Sequence, residues 1–435
     1  MAAPVNALKK ALSSFITKEE IRQIAAETGF VKRVRNLDVV KFLWAVILSF
    51  GIEGERSFVQ IQRVYEMITG DKTLNRSSFH ERFNEYCALF MKAVFTTICV
   101  RMSKPKNPIE NLLKQFADII LIDSTFLRVH DSLEDIYPSI GRNRGKEKMK
   151  AEVKLQVTIS ATSNAPHMVK LSPGKEHEKH GVQMGEWVKD KLILADRGFF
   201  SYDHFFAIDS NGGFFISRLI TSFNPFAVDD YIPEQPSPVL QLGNRMKEII
   251  KDMEKTRESD VIDLKVMIGV KRPTSVKVRG FLRVVCIWNP KTNSYSSYLT
   301  NIPAHMMAPE DIARSYRVRW EIEMIFKELK SYFRLDQIPS KKPECVVIFI
   351  YAALLSFILS RHILNTIREV RGIPASKSPE RLFAKLFTAI CSDLLHDMFH
   401  PHACMRDWNE HEKYLLKWIK PSNNKRPDNL SVARN

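Results

Sequence analysis

Two groups of residues in this chain could do chemistry together: three carboxylates in unusual surroundings, and a charged and aromatic set at helical spacing. Asp123 lies inside the apolar run 116–129, Asp196 ends the short apolar run 191–195, and Glu323 belongs to the periodic stretch 314–334. An ionised carboxylate beside Ile119, Ile120, Leu121 and Ile122 is costly to bury unless it is paired or binds a cation. Hard Mg²⁺ takes a few carboxylate oxygens and keeps waters or phosphate oxygens as its other ligands. Two such ions can activate an attacking oxygen and stabilise a leaving one in phosphoryl transfer.

Within 314–334, Tyr316, Arg319, Glu323 and Lys330 stand at offsets of zero, three, seven and fourteen. On a helix turning roughly 100° per residue they fall within an arc of about 60°, so one face carries all four. Val318, Ile322, Ile325, Phe326, Leu329 and Phe333 form a separate stripe that would pack on a core. The charged face suits a grip on a phosphate backbone while its acid holds a metal. Each acid also has an ordinary reading taken singly. Asp123 could cap a strand end before Ser124 and Thr125, Asp196 could pair with Arg197 or form an Asx-turn, and Glu323 could bridge Arg319 and Lys327. Their joint occurrence with the helical spacing favours a shared site.

The elements that must position these residues are legible in outline. Residues 1–110 are helical, with apolar periodicity at 39–50 and 58–67. Gly70 stops one helix, and Ser78 with Glu81 matches a capping box that starts another. This predicts a helix-turn-helix bearing Arg76, His80 and Arg82, and the overall charge favours DNA contact there over plain helix packing. Strands are predicted at 116–129, 151–160, 167–171, 191–196 and 214–219, with a helix at 202–210, which makes a mixed α/β sheet. A basic loop, 141–150, suits either a phosphate contact or an exposed hairpin tip. A Pro-rich linker, 224–238, then leads to strands at 261–270, 276–288 and 294–300, read as a small β insertion over 220–305. Residues 341–420 are helical, and the polar tail 421–435 is frayed.

The 435 residues carry a formal charge of +16, with a pI near 9.5. That balance favours a polyanionic partner, nucleic acid first and anionic lipid second. Six cysteines occur without a CxxC pair, so neither a disulfide framework nor a zinc site is suggested and a reducing cytosol is expected. The N-terminus lacks the apolar core of a signal peptide. The apolar run 345–359 is shorter than the ~20 residues of a membrane span and is read as a buried helix. His177 and His180 have no third partner at metal-ligand spacing and are left out of any metal site.

The spacing of Tyr316, Arg319, Glu323 and Lys330 resembles the Tyr-Arg-Glu-Lys signature of bacterial insertion-sequence transposases of the cut-and-paste DDE type. Asp123 to Thr125, Asp196 to Phe199 and Leu299 to Pro303 resemble that family's other blocks, in the expected order, and the resemblance covers roughly residues 20–370. It implies a ribonuclease H-like mixed-sheet catalytic domain over 111–420. The β insertion would lie between the second and third acids, a helical region over 340–420, and a helical DNA-end-binding domain over 1–110. It also implies Asp123, Asp196 and Glu323 as ligands of two Mg²⁺ ions, with Mn²⁺ as a substitute. Tyr316, Arg319 and Lys330 would contact phosphates near the terminal nucleotides.

The activity implied is binding of terminal inverted repeats, DNA cleavage and strand transfer to target DNA, through a hairpin in some members. A homodimeric synaptic complex in the bacterial cytoplasm, associated with the nucleoid and with no membrane partner, goes with it. Trp288 and Tyr295 are candidates to hold a flipped base, with strand packing as the competing role. Two rival readings are a non-catalytic DNA-binding regulator of the same fold and a nuclease without strand transfer.

Overall fold

The computed structural model describes residues 6–32, 37–52, 57–70, 74–102, 113–141, 143–144, 147–163, 165–177, 181–220, 222–230, 244–271, 276–338, 340–373, 380–400 and 408–418. The expected tail 421–435, His180 and Arg142 lie outside them.

Six helices come first: α1 (Ala7–Phe15), α2 (Lys18–Glu27), α3 (Val39–Ser49), α4 (Phe58–Thr69), α5 (Arg76–His80) and α6 (Glu85–Met102). Side chains set several of their starts. Thr17 and Glu20 close a capping box on α2, Asp38 caps α3 and Ser57 caps α4. All of α3 except Lys41 is buried, as a helix apolar on every side must be. Gly70 ends α4 at a φ of 71°. The next helix does not start at Ser78, however. Asn75 is its cap, accepting from the Ser78 N–H at 2.8 Å, and α5 is only five residues long. Ser78 therefore sits inside α5 and the expected capping box with Glu81 is not formed, because Asn75 supplies the acceptor one turn earlier.

The sheet is built from β1 (Asp118–Arg128), β4 (Glu152–Ser160), β5 (Ala165–Pro173), β6 (Lys191–Ala195), β7 (Phe214–Arg218), β8 (Phe226–Asp230), β9 (Val261–Lys271), β10 (Val276–Asn289) and β11 (Ser294–Thr300). The two-residue strands β2 (Asn143–Arg144) and β3 (Glu147–Lys148) form a separate hairpin in the basic loop. The nine-stranded order is β5-β4-β1-β6-β7-β11-β10-β9-β8. β1 runs antiparallel to β4 and parallel to β6, and β6 runs parallel to β7. This is the mixed α/β sheet that the sequence predicts, with α7 (Tyr202–Ser210) as the crossover between β6 and β7.

Both faces of the central strands are apolar, as buried parallel strands require. Ile119 and Leu121 point into one core with Leu192 and Leu194, while Ile120 and Ile122 point into another with Ile193 and Ala195. The insertion interrupts the chain but not the sheet: β11 pairs antiparallel with β7, so its strands extend the same sheet. The linker reading of 224–238 missed β8, and the insertion also holds α8 (Met246–Thr256). Met246, Ile249 and Met253 are the buried side of that helix, a spacing visible in the sequence but masked by its charged neighbours.

After β11 come α9 (Pro309–Tyr316), a tight 3₁₀ turn Arg317–Arg319, and α10 (Trp320–Ser331). The continuous helix expected over 314–334 is thus divided at its motif. A 3₁₀ turn advances about 120° per residue rather than about 100°, which turns Tyr316 by roughly 60° relative to α10 and leaves the four spaced residues within an arc of about 40°. The apolar stripe is as expected, with Val318, Ile322, Ile325, Phe326, Leu329 and Phe333 all buried.

The chain continues in α11 (Pro343–Arg371), α12 (Glu380–Phe399) and α13 (Trp408–Trp418). Length and composition alone would let α11 cross a membrane, but 83% of its most apolar window is buried within the protein. It packs on α1, α6 and α12, so the two helical regions share one core. A buried ion pair, Glu328 with Arg361 at 2.7 Å, ties α10 to α11.

Candidate active site

The parallel register of β1 and β6 ends at Ile122 opposite Ala195, so the next residues outward are Asp123 and Asp196. Two acids distant in sequence therefore meet at the carboxyl end of parallel strands, where open α/β sheets gather their sites. Asp123 is 17% exposed, and its Oδ1 accepts from the Ser124 N–H at 2.7 Å. Asp196 is 44% exposed, at the start of the turn Arg197–Phe199, and caps nothing with its side chain. α10 packs against β1 and brings Glu323 in its first turn.

Arg319 joins the three. Its guanidinium lies 2.6 Å from Glu323, 3.7 Å from Asp123 and 3.9 Å from Asp196. Only 11% of its side chain is exposed, and its buried Nε has no hydrogen-bond partner. One cation does not balance three acids in a desolvated place. Burial pushes the Asp123 carboxyl up to about 7, opposed by the Ser124 N–H and Arg319 and reinforced by Asp196 and Glu323.

The other signature residues take different places. Tyr316 is 7% exposed, stacks edge-on against Tyr298 and donates its hydroxyl to the Ala195 carbonyl at 3.2 Å. Burial pushes that phenol above its ordinary range. Lys330 is half-buried with its Nζ 3.5 Å from the Phe126 carbonyl on β1. Tyr316, Arg319 and Lys330 thus reach three neighbouring places on β1 and β6: the Ala195 carbonyl, the acids themselves and the Phe126 carbonyl.

A cleft of about 1060 Å³ opens from Asp196 toward the insertion, lined by Arg197, Arg218, Lys291, Trp288 and Trp320 among others. Sequence reasoning passed over Arg218 and Trp320. Arg218 ends β7 as Asp196 follows β6, and its guanidinium stacks on Tyr298 at 5.1 Å. Trp320 is a large apolar residue 47% exposed beside the motif. Of the two insertion aromatics, Trp288 lines the cleft and stacks on Arg257 at 3.5 Å. Tyr295 is a packing residue, buried, with its hydroxyl on the Ser259 carbonyl.

Arg76 and His80 line a separate groove of about 460 Å³ between α4 and α5. Burial, Lys342 and Arg76 lower the His80 pKa, and its ring packs edge-on against Phe58 at 4.5 Å. Arg82 is half-buried in the turn after α5. His177 is exposed.

The three acids offer only oxygen donors, which suits a hard divalent ion in kind. Among the described residues, no three His, Cys, Asp or Glu side chains stand close enough to enclose a metal as they are placed. The acids face the Arg319 guanidinium instead.

Residues 114–359 match the family described as the transposase DDE domain. The transposase of insertion sequence IS1151 from Clostridium perfringens is 23% identical over 396 residues, covering 83% of this chain and 81% of the relative. That of IS231F from Bacillus thuringiensis subsp. israelensis is 25% identical over 392 residues, covering 82% and 80%. A solved piggyBac transposase synaptic complex with hairpin DNA aligns over 98% of this chain and 87% of that one, at 10% identity and a TM-score of 0.46. With the family match spanning more than half its length and including all three acids, this chain belongs to the DDE-domain transposases of insertion sequences.

Proposed function

We propose that this transposase binds the terminal inverted repeats of its element, cuts the DNA there and joins the ends to target DNA. Asp123, Asp196 and Glu323 would hold two divalent ions, Mg²⁺ with Mn²⁺ as a substitute. The observation that carries this reading is the meeting of three acids from β1, β6 and α10 around one cation, at the mouth of a cation-lined cleft. When bound, the ions would activate the attacking oxygen and stabilise the leaving one.

The chain's own residues do the rest. The register of β1 and β6 presets the spacing of two acids, and the Tyr316 hydroxyl holds the backbone just before the second. Arg197, Arg218, Lys291 and Lys330 supply positive charge for the phosphates of a DNA end. Arg76, His80 and Arg82 would contact the flanking duplex. Two ends must be paired for joining, which implies a homodimer, and excision through a hairpin fits the same site. The protein would act in the bacterial cytoplasm on nucleoid DNA.

The test is cleavage of DNA carrying the element's ends in Mg²⁺. Asp123→Asn, Asp196→Asn and Glu323→Gln should each abolish cutting and leave end binding intact. Undiminished cutting by any one of them sinks the assignment. Cut ends that are never joined would make the protein a nuclease, and binding without cutting by the unaltered chain would make it a regulator.

A further inference from the structure

We infer that Arg319 is an exchangeable counter-ion, pairing with the acids while no metal is present and passing to a DNA phosphate when divalent ions enter. This rests on the metal-site reading above and adds a coupling between the two ligands of that site.

The geometry is specific. One guanidinium lies within ion-pair distance of all three acids, and only its contact with Glu323, at 2.6 Å, is a close hydrogen bond. The contacts with Asp123 and Asp196, at 3.7 and 3.9 Å, are long. Its Nε is buried without a hydrogen-bond partner, so the group is not fully satisfied where it stands. A guanidinium and a divalent ion compete for the same carboxylate oxygens and repel each other at that range. Arg319 also lines the cation-rich cleft, where the phosphates of a bound DNA end would be its alternative anionic partner.

The side chain therefore has two anionic partners, and each leaves room for the other ligand. Phosphate that draws Arg319 away makes metal binding easier, and by linkage metal makes phosphate binding easier. A purely structural arginine would behave in the opposite way. Removing it would let three acids splay apart and weaken metal binding.

The experiment is a titration of the DNA-free protein with Mn²⁺, read by electron paramagnetic resonance of the free ion. Arg319→Gln should bind Mn²⁺ tighter than the unaltered protein, by roughly tenfold, within the ordinary range of such couplings. Arg319→Lys, which keeps the charge on a shorter group, should fall between. Equal or weaker binding by Arg319→Gln, in protein whose circular dichroism and melting are unchanged, overturns the inference. If that variant does not fold, Arg319→Lys decides alone: unchanged or weaker affinity overturns it. The double variant Arg319→Gln, Glu323→Gln separates this from the underlying reading. If it binds Mn²⁺ as well as the single variant, the metal is not at these acids and the site itself fails. If the acids matter but Arg319→Gln gains nothing, only the exchange fails.

Discussion

The Tyr316 hydroxyl donates to the Ala195 carbonyl at 3.2 Å, tying the end of α9 to the residue that precedes Asp196. Tyr316 is 7% exposed against Tyr298 and its ring also lines the cleft, so this tie sits between the cleft wall and the strand end. The aromatic of the signature thus acts on one metal-ligand candidate through the backbone.

Tyr316→Phe keeps the ring packing and removes one hydrogen bond, which should cost about 1 kcal/mol of stability. Asp196 then loses part of its support, and cleavage should slow by roughly tenfold, equivalent to about 1.4 kcal/mol. End binding and its salt dependence should not change. A fall in affinity, with a shallower salt slope, would instead mean that the hydroxyl grips a phosphate.

Much of this arrangement was legible from the sequence because it obeys simple periods. The helix expected at 202–210 is α7 at Tyr202–Ser210, and the strands expected at 261–270 and 276–288 are β9 and β10. Asp123 and Asp196 stood out because each charge sits on an apolar run. What the sequence could not express was the 3₁₀ turn Arg317–Arg319, which has no Gly or Pro to announce it and depends on how α9 and α10 dock separately. The turn changes the angles between the four spaced residues by roughly 60° without taking them off a shared side. Arg319 was read as a phosphate contact or a helical partner of Glu323, and its contact with Asp123 and Asp196 could not be foreseen. That contact needs the register of β1 against β6, a pairing between segments about 70 residues apart. Arg218 was missed for the same reason, since a lone arginine ending a strand has no local signal.

His167 predicts a pH effect away from the site. It lies on β5 with its ring against Trp187 at 5.4 Å and a buried Nδ1 that has no hydrogen-bond partner. Burial, then Lys191, lowers its pKa below the ordinary 6.5, with Asp118 opposing. A depressed pKa means that the unfolded chain takes up a proton before the folded one does. The stability this group contributes is therefore present above pH 6.5 and is lost as pH falls through the lower folded value. His167→Phe should remove that slope. Melting temperatures between pH 8 and pH 5 would check it, and parallel curves for the two proteins would refute it.

The pair Glu328 and Arg361 makes the sharpest prediction about what holds α10 in place. The two side chains meet at 2.7 Å with 3% and 4% exposure, and Arg361 also donates to the Glu380 carbonyl at 3.0 Å. Burial raises the Glu328 carboxyl, partly offset by Arg361. Desolvation of both charges largely cancels their attraction, so the pair itself adds little net stability. Breaking it is another matter, because Arg361→Met or Glu328→Leu leaves a lone buried charge and should cost about 3–5 kcal/mol. Glu380 is not stranded in either case, since Arg368 lies 3.3 Å away. The double variant removes both charges and fills the space with apolar atoms beside Leu329 and Phe357, so it should recover most of the loss. Urea midpoints of the four proteins give this coupling directly. Cleavage should return with stability, because Phe333, just after α10, also anchors the helix end against Phe357 and Phe387, contacts that the charges do not make. If stability returned while cleavage stayed lost, the ion pair would be what sets the placement of Glu323, five residues earlier on the same helix.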